Sequence, residues 1–314
     1  MARAHARRDR DLRERIDCGI IIVTYNSADH VEALLDSLPA AIGKLSTRCV
    51  VVDNNSSDET ISVLGRRHDA EVLRSTRNLG YSGAINLGRT SLGPCSSILI
   101  LNPDLVVAPG AIEQLYEALN HGDIGVAVPK ILSSDGELFL SLRREPSLAR
   151  AIGEALFGSR LAWRPGWLSD TIRDRAAYQQ PRDVDWAGGA ALLISAACNE
   201  AVGDWDADRF FLYSEETDFA ARVRRCGYRI RYVPSAEVCH EGGGSGRSAA
   251  LGALLAVNRV RYYEKYHGQP ASSIFRLVVA FHYLLRCSDL ADRRALHTVL
   301  RRSRWASLPG GVAR

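Results

Sequence analysis

The stretch CGIIIV (residues 18–23), followed directly by TYNS (residues 24–27), decides the fold class. A short, continuous run rich in Ile and Val is typical of a strand that is buried on both faces of a parallel sheet. The polar turn leads into Val31, Leu34, Leu35 and Leu38, whose spacing predicts one buried face of a helix. Such a strand, turn and helix form the repeating unit of an α/β sheet.

The same alternation continues through the first 130 residues. Four further apolar runs predict strands at residues 49–52, 71–73, 97–101 and 125–128. We expect Pro39 to end the first helix, Ser56 and Glu59 to form a capping box for the second, and another helix at residues 80–92. A fourth helix should begin at Pro109. These elements predict an α/β protein with a Rossmann-like, mostly parallel central sheet and flanking helices.

The second half of the chain lacks the regular alternation of apolar runs and helices that is seen in the first half. Residues 135–182 read as irregular, the segment 210–225 reads as a loop that leads into a helix, and two short strands are expected at 229–233 and 236–239. We therefore predict a charged tail (1–16), a main domain (17–250, with halves at 17–130 and 131–250), and a basic helical C-terminal extension (251–314).

The net charge of +4 is the sum of two basic ends and an acidic middle segment. Residues 1–15 hold six Arg and three acidic residues, and residues 274–314 hold eight Arg and two Asp, so the middle of the chain is mildly acidic. Basic ends suit nucleic acid or an anionic membrane. Because no nucleic-acid motif accompanies them, we expect no nucleic-acid partner. Seven Cys without a CxxC pair, and no signal peptide or apolar run of membrane-spanning length, predict a cytoplasmic protein.

Polar residues follow three of the predicted strands, at Tyr25 and Asn26, at Asp53 and Asn55, and at Asn102 and Asp104. In open α/β sheets, ligands bind at the carboxyl ends of the strands, so these clusters predict a ligand crevice. The chain has neither GxGxxG after its first strand nor a P-loop, which disfavours NAD-dependent oxidoreductases and P-loop NTPases.

Three local patterns each allow two interpretations. Asp104 can hold a divalent cation or simply end a strand in a turn. Glu215, Glu216 and Asp218 can include a general base, or they can simply be acidic residues at the solvated N-terminus of a helix, where the helix dipole favours them. After His240, the run EGGGSG leads to Arg247, and it can form a lid with an anion contact or a plain linker.

Seven motifs occur in a characteristic order: IIIVTYNS, VVVDNNSSDET, RNLGYSGAINLG, LILNPD, WAGGAALLIS, FFLYSEETDFAARVRRCGYRI and VPSAEVCH. Together they resemble the family 2 glycosyltransferases of the GT-A fold over about residues 18–245. The nearest subgroup is the bacterial rhamnosyltransferase-like enzymes, which act in polysaccharide and cell-wall assembly. The resemblance implies an inverting transfer of a sugar, such as L-rhamnose, from a nucleotide-diphosphate sugar to an acceptor hydroxyl.

The resemblance also implies roles for individual residues. Those that correspond to the family's donor site are Thr24, Tyr25, Asn26, Asp53, Asn55, Arg77, Asn78, Gly80, Asn102 and Asp104, with Arg247 added from the local sequence. The acceptor segment corresponds to Trp186, Gly188 and Gly189. Asp104 and His240 correspond to a site for Mg²⁺ or Mn²⁺, although Asn102 replaces the first acid of the family's DxD motif. Glu216 corresponds to the general base, with Glu215 and Asp218 as further catalytic candidates.

The C-terminal extension carries an apolar stripe at Ile274, Leu277, Val278, Phe281 and Leu285, flanked by Arg residues. The stripe predicts either a helix packed on the main domain or a helix on the inner face of the cytoplasmic membrane. We expect a glycan or a lipid-linked acceptor, and a membrane helix would suit the lipid-linked one.

Two other functions remain open from the sequence alone. A non-catalytic protein that binds nucleotide sugars or glycans could keep the same motifs, although an intact Glu216 disfavours it. A sugar nucleotidyltransferase would need a Gly-rich loop with basic residues after the first strand, and residues 24–29 do not provide one. We expect a dTDP-sugar or a UDP-sugar as the donor.

Overall fold

The computed structural model describes residues 15–158, 165–240 and 248–310. Its strands are β1 (Ile16–Thr24), β2 (Thr47–Asp53), β3 (Glu71–Arg74), β4 (Cys95–Leu101), β5 (Leu105–Val107), β6 (Ile124–Ser133), β7 (Leu142–Arg143), β8 (Arg182–Val184), β9 (Trp186–Ala187), β10 (Ala191–Ser195) and β11 (Arg229–His240). Nine of them form one sheet in the order β3-β2-β1-β4-β10-β6-β11-β5, with β8 also paired to β11.

Helices cover both faces of this sheet and continue to the C-terminal end of the described residues. They are α1 (Val31–Ile42), α2 (Thr60–Leu64), α3 (Gly80–Ser91), α4 (Ala111–Ala118), α5 (Leu148–Phe157), α6 (Ala196–Val202), α7 (Glu215–Arg225), α8 (Ala249–Tyr266), α9 (Gln269–Leu284) and α10 (Leu290–Leu300). Short 3₁₀ helices occur at Gly166–Leu168, Arg175–Tyr178 and Arg302–Ser307.

The opening stretch of sequence forms the interior strand β1, whose residues 18–24 are all buried. It pairs in parallel with β2 on one side and with β4 on the other. All five predicted strands are present, as β1, β2, β3, β4 and β6, which confirms the mostly parallel α/β sheet. Two apolar clusters, one on each face of the sheet, form its core.

Strand β10 lies between β4 and β6 and is antiparallel to both. The backbone N–H of Asn102 also donates to the carbonyl oxygen of Ala190, at 2.8 Å. Through this pairing, the glycines at 188 and 189 lie beside the carboxyl end of β4. The antiparallel direction of β10 depends on a long connection, so local sequence does not determine it.

Strand β11 is one long strand where the sequence predicted two short ones. A register shift between Val233 and Glu237 keeps it paired with β6 across the irregularity. Its last residues pair with β5, so that His240 lies opposite Leu105. The bulge explains the interrupted apolar pattern, and the continuous strand brings His240 next to the end of β4.

Two predicted helix boundaries were wrong. Pro39 lies inside α1, because the buried face continues past it to Ala41, and burial outweighs one missing N–H donor. Ser56 does not cap α2, because its hydroxyl accepts a hydrogen bond from the backbone N–H of Asn26. The first N–H of α2, that of Thr60, is bound instead by the side chain of Asp58 at 3.1 Å.

Helices α8, α9 and α10 pack together and against α5 around a third apolar cluster. Phe275, Val279 and Tyr283 of α9 are buried in this cluster. The opposite face of α9 exposes most of the predicted stripe, namely Ile274, Leu277, Phe281 and Leu285, together with Leu284. Within the described residues, no helix is both long and apolar enough to span a bilayer. The helix thus packs on the protein by one face and presents apolar side chains on the other.

Candidate functional site

The turns that follow β1 and β2 are bound to each other by side-chain hydrogen bonds. The Thr24 hydroxyl donates to Asp53 Oδ1 at 3.2 Å, and the Ser56 N–H donates to Asp53 Oδ2 at 3.2 Å. Asn26 Oδ1 accepts from the Ser57 N–H at 2.8 Å. Three of the predicted donor residues, Thr24, Asn26 and Asp53, therefore lie together at one preorganised edge of the sheet, which we call the donor edge.

Asn54 organises the next part of this edge, although the sequence prediction named its neighbour Asn55. The buried Asn54 amide donates to Asn78 Oδ1 at 2.9 Å and to the Gly80 carbonyl at 3.1 Å, and its Oδ1 accepts from the Leu79 N–H at 2.7 Å. Asn55 has a left-handed backbone (φ 67°) and an exposed side chain. Asn54 thus positions Asn78, and Asn55 is free to face a ligand.

Two further donor candidates, Tyr25 and Arg77, extend into solvent at this edge. The Tyr25 side chain is 50% exposed, and Arg77 is also exposed. An exposed aromatic ring and a guanidinium group are suited to stack on a base and to contact a phosphate, respectively. Their positions are compatible with the predicted contacts to a nucleotide.

Gly80 joins the donor edge to the segment before α7. Its φ is +74°, and a Cβ atom at this position would clash with the carbonyl oxygen of Phe211. The same oxygen accepts a hydrogen bond from the Tyr81 N–H at 2.7 Å. Only glycine permits both this backbone conformation and this close approach, so the start of α3 is fixed against the chain that leads to Glu215 and Glu216.

Asp104 and His240 meet at the carboxyl end of β4, as the family resemblance implied. Asp104 Oδ2 lies 3.1 Å from His240 Nε2. Burial raises the pKa of the Asp104 carboxyl, but the hydrogen bond and the charge of His240 outweigh this effect, and the pKa lies below its ordinary value. Asp104 is therefore an anion at neutral pH, with an imidazole beside it.

This pair fits a divalent cation in one specific respect. The second carboxyl oxygen, Asp104 Oδ1, is buried and has no hydrogen-bond partner among the described residues. A buried carboxylate oxygen without a partner is costly unless a cation or a donor reaches it. Among the described residues, no group of three or more acidic, His or Cys side chains is arranged around a common point. A cation held here would thus need ligands from the donor phosphates or from water.

Tyr81 is a site residue that the sequence prediction missed. Its hydroxyl donates to Asn102 Oδ1 at 2.8 Å and lies 3.4 Å from the Gly189 carbonyl oxygen. Burial, and then the negative charges of Glu215, Glu216 and Asp104, raise its pKa well above the ordinary value. The phenol therefore stays protonated. Tyr81 belongs to the motif RNLGYSGAINLG, which indicated that it could lie near the donor site. No pattern in the neighbouring residues distinguished it from a tyrosine of the core.

Glu215 is buried and Glu216 is half-buried at the start of α7. Burial, and then the charge of Glu216, raise the pKa of Glu215 well above its ordinary value. Burial also raises the pKa of Glu216, and the charge of Arg143 is among the influences that oppose it. The Oε2 atom of each residue is buried and has no hydrogen-bond partner in the part of the chain that the structure describes. A carboxyl group with a raised pKa and an unpaired oxygen is suited to accept a proton.

The turn before this pair is strained. Tyr213 and Ser214 both have left-handed backbones (φ 70° and 69°), a costly conformation for residues with a Cβ. The side chain of Asn258, which is fully buried in α8, donates to the carbonyl oxygens of Leu212 (2.8 Å) and Tyr213 (3.1 Å). Asn258 was not predicted, because it acts on residues that lie far away along the chain.

Asp218 differs from the two glutamates because its carboxylate is fully engaged. Oδ2 accepts from Arg222 Nε at 3.0 Å, and Oδ1 accepts from the Tyr266 hydroxyl at 2.6 Å. Lys265 Nζ lies 2.7 Å from the same Oδ1. The structure thus connects Asp218 with α8, whereas the family resemblance made it a further catalytic candidate beside Glu216.

The predicted acceptor segment lies next to Glu216. A Cβ atom on Gly189 would be 3.4 Å from the Glu216 Cβ, while Gly188 has no neighbour within 4 Å of its Cβ position. The Trp186 indole N–H donates to the carbonyl oxygen of Arg144 at 2.9 Å. Trp186 and Glu216 both line a cavity of about 340 Å³. The remaining predicted residue, Arg247, lies outside the described residues.

Comparison with known proteins identifies the family of this chain. The family model described as "Glycosyl transferase family 2" matches residues 19–183. An N-acetylglucosaminyl-diphospho-decaprenol L-rhamnosyltransferase of Mycobacterium tuberculosis is 31% identical over 233 residues, which cover 70% of this chain and 75% of the relative. The low-salt glycan biosynthesis hexosyltransferase Agl10 of Haloferax volcanii is 31% identical over 228 residues, which cover 71% and 67% of the two chains.

Among solved structures, a mannosyltransferase from Pyrobaculum calidifontis in complex with GDP-Man and Mn²⁺ has a TM-score of 0.52 at 18% identity. The match covers 99% of this chain and 83% of the other. This likeness confirms the predicted fold, in which a mostly parallel sheet binds its ligands at the strand ends. Together, the family match and the rhamnosyltransferase relative show that the chain belongs to glycosyltransferase family 2 and is a hexosyltransferase with the GT-A fold.

Proposed function

We propose that this enzyme transfers L-rhamnose, with inversion, from a nucleotide-diphosphate sugar to a hydroxyl group of a lipid-linked sugar acceptor. The similarity to the M. tuberculosis rhamnosyltransferase supports both the sugar and the kind of acceptor. We take dTDP-L-rhamnose as the first donor to test and UDP-sugars as the alternatives. The product would enter the assembly of a polysaccharide, a cell wall or another glycoconjugate.

One observation carries the assignment of the chemistry. Glu216 has a buried Oε2 that no described residue pairs with, it lines the same cavity as Trp186, and Gly189 leaves space beside it. The nearby Asp218 already has three partners, so it is not free to accept a proton from a substrate. Glu215 is more deeply buried and does not line that cavity. Glu216 is therefore the general base of the proposal.

The reaction is a single displacement at the anomeric carbon. Glu216 accepts the proton of the acceptor hydroxyl as its oxygen forms a bond to that carbon from the face opposite the diphosphate. The bond from the anomeric carbon to the diphosphate oxygen breaks, and the nucleoside diphosphate leaves. A divalent cation held by Asp104 and His240 would supply positive charge to offset that of the leaving diphosphate. Tyr81 stays protonated and donates a hydrogen bond to Asn102, which holds the Asn102 side chain in place at the end of β4.

The test of the base is the Glu216→Gln variant. Glutamine preserves the shape of the side chain but cannot accept the proton, so we expect transfer to fall by about 10²–10⁴-fold, while donor binding measured by calorimetry stays unchanged. Glu200→Gln, at an exposed position on α6, is the matched control and should keep full activity. Turnover of the Glu216→Gln variant at the wild-type rate would rule Glu216 out as the base.

The test of the donor site uses thermal shifts with a panel of dTDP-, UDP- and GDP-sugars, with and without Mn²⁺. Ligands that bind the native state raise the melting temperature. We expect the largest rise with dTDP-L-rhamnose and Mn²⁺ together, and a smaller rise in an Asp104→Asn variant. A larger rise with another donor would replace L-rhamnose in the proposal, and a metal-independent rise would argue against the role of Asp104 and His240.

We further propose that α9 rests on an anionic membrane surface, where a lipid-linked acceptor would be found. Its outward face exposes Leu277 by 63% and Leu285 by 53%, and the arginines at 293, 294, 301 and 304 are also exposed. Apolar side chains beside cationic ones match the interface of an anionic bilayer. The two arginines that flank the stripe have a different role, since Arg276 and Arg286 donate to carbonyl oxygens of neighbouring helices.

A further inference from the structure

The cavity beside Glu216 extends beyond the segment that the sequence assigned to the acceptor. Its lining includes Glu216 and Trp186, but also residues of α5, α8 and α9, among them Ala151, Leu255 and Phe275. None of the donor-side residues Asp53, Asp104 and His240 is part of this lining. The cavity is therefore a second compartment that meets the donor edge at Glu216.

Four arginines from separate segments of the chain converge on this cavity. They are Arg143 of β7, Arg150 of α5, Arg173 of the following loop and Arg259 of α8. Three carboxyl groups also line the cavity, those of Glu154, Asp170 and Glu216. Within the described ranges, no ion pair connects any of the four guanidinium groups with a carboxylate. The cavity therefore holds four guanidinium groups against three carboxyl groups, and burial raises the pKa of one of the three, Glu216.

Two of these arginines also have unsatisfied donors. The Nε atoms of Arg150 and Arg173 are buried and have no hydrogen-bond partner in the described structure. Arg143 is held in position, because its guanidinium donates to the Thr171 hydroxyl and lies 5.9 Å from the centre of the Trp186 ring. Buried donors without partners are costly, and several of them in one cavity indicate that a ligand accepts their hydrogen bonds.

The chemistry of this arrangement favours phosphate. Guanidinium groups bind phosphate oxygens through paired, charge-assisted hydrogen bonds, and four of them exceed what a neutral sugar requires. Since the donor edge lies elsewhere, the phosphate must belong to the second substrate. We infer that the acceptor is a sugar whose reducing end carries a phosphate or diphosphate ester, which Arg143, Arg150, Arg173 and Arg259 bind while a free hydroxyl of the sugar reaches Glu216. This inference rests on the proposed role of Glu216.

The phosphate ester serves only to bind the acceptor, and it takes no part in the bond changes. The acceptor oxygen forms the new glycosidic bond, its proton goes to Glu216, and the donor diphosphate departs with the bonding electrons. The ester at the other end of the acceptor sugar remains intact. The exposed apolar residues Ile152, Leu255 and Ile274 lie on the three helices that line the cavity, so a lipid attached to that ester would find an apolar surface nearby.

The experiment compares one acceptor sugar in three forms: the neutral methyl glycoside, the 1-phosphate, and the diphosphate with a short prenyl chain. We expect the wild-type enzyme to have a KM for the two phosphorylated forms that is at least about tenfold lower than for the glycoside. An Arg150→Gln/Arg173→Gln variant should raise the KM of the phosphorylated forms about tenfold to hundredfold, and it should leave the KM of the glycoside and of the donor unchanged.

The control variant is Arg175→Gln, whose guanidinium is exposed, pairs with the exposed Glu137 and does not line the cavity. It should behave as the wild type. Melting temperatures of all variants verify that they are folded. A lower KM for the prenyl form than for the 1-phosphate would assign the phosphate to a lipid, and equal KM values would assign it to a free sugar phosphate; either result supports the site.

Two results would overturn the inference. One is a wild-type enzyme that uses the neutral glycoside as well as the phosphorylated forms. The other is an Arg150→Gln/Arg173→Gln variant whose KM rises equally for all three acceptors. Both results leave the transferase itself intact, because transfer to the glycoside is still measured. Failure of the proposed base appears separately, as an unimpaired Glu216→Gln variant.

Discussion

At the scale of single residues, the site depends on a few carboxyl groups whose pKa values burial and neighbouring charges shift away from those in water. Burial disfavours two negative charges on the adjacent Glu215 and Glu216, and Asp104 is kept ionised by His240. Asp104 at the donor end is thus charged, whereas the carboxyl groups at the acceptor end hold protons more tightly. This separation is the one needed to bind a cation at one end and to accept a proton at the other.

The raised pKa of Glu216 predicts the form of the pH–rate profile. Below that pKa the side chain is protonated and cannot act as a base, so kcat/KM should rise with pH, and the midpoint of the rise should lie above the ordinary value of 4.5. Because the charge of Glu216 helps to raise the pKa of Glu215 well above its ordinary value, Glu215 stays protonated while Glu216 ionises, and replacing Glu215 by Gln should leave the midpoint in place. The measurement is initial transfer rates in buffers of constant ionic strength, with protein stability verified at each pH. A flat profile down to pH 4.5 would contradict the assignment.

Much of the donor edge could be predicted residue by residue, because its side chains directly follow buried strands. Thr24, Asn26 and Asp53 lie together for this reason. Tyr81 and Asn258 could not be predicted, since each acts through a contact with a distant segment and looks ordinary in its own helix. Asp218 illustrates the same limit, because its neighbours along the chain resemble a catalytic cluster while its partners come from α8.

At the scale of elements, α7 is held in place by its contacts with α8. The carboxylate of Asp218 joins Arg222 in its own helix with Lys265 and Tyr266 of α8. Asn258, also in α8, holds the strained turn that precedes α7. The C-terminal helices are therefore part of the support of the catalytic residues. The five strands were predictable from their apolar runs, whereas this helix contact was not, because it depends on tertiary packing.

The link between α7 and α8 predicts a large effect for Asp218→Asn. The substitution keeps the size of the side chain, but Arg222 loses its buried anion, and Lys265 keeps, among the described residues, only its ion pair with Asp206. We expect the free energy of unfolding to fall by about 3–5 kcal/mol, measured by denaturant titration followed by circular dichroism. Asp208→Asn, at an exposed position, is the control and should change it by less than about 0.5 kcal/mol. Equal stability of the two variants would mean that the ion pairs do not hold α7.

At the scale of the whole molecule, the apolar face of α9 and the cavity of arginines involve the same group of helices. The stripe predicted from the sequence is real, but α9 also packs into the protein through Phe275 and Val279. A truncation before α9 would remove buried residues along with exposed ones. Membrane binding is thus better tested by substitutions on the outward face alone.

We expect a Leu277→Gln/Leu284→Gln variant to bind vesicles that contain phosphatidylglycerol at least about tenfold more weakly than the wild type does, because each leucine contributes about 1.5–3 kcal/mol on leaving water. Both side chains are more than half exposed, at 63% and 52%, so folding should be preserved. Co-sedimentation at low and high salt measures the apolar and ionic contributions. Val106→Gln, on an exposed position of β5, is the control. Equal sedimentation of the variant and the wild type would contradict a membrane role for this face.

The antiparallel strand β10 has a consequence for how the chain folds during synthesis. Strands β4 and β6 both lie within the first 133 residues, yet Leu193 and Ile194 of β10 must enter between them before β4 gains its second neighbour and β6 its first, because the other neighbour of β6, strand β11, comes still later in the chain. Until the ribosome has released that segment, both strands keep an open edge that can pair with other chains. A polypeptide stopped near residue 130 is thus an aggregation-prone intermediate, and its stable folding awaits the second half of the chain.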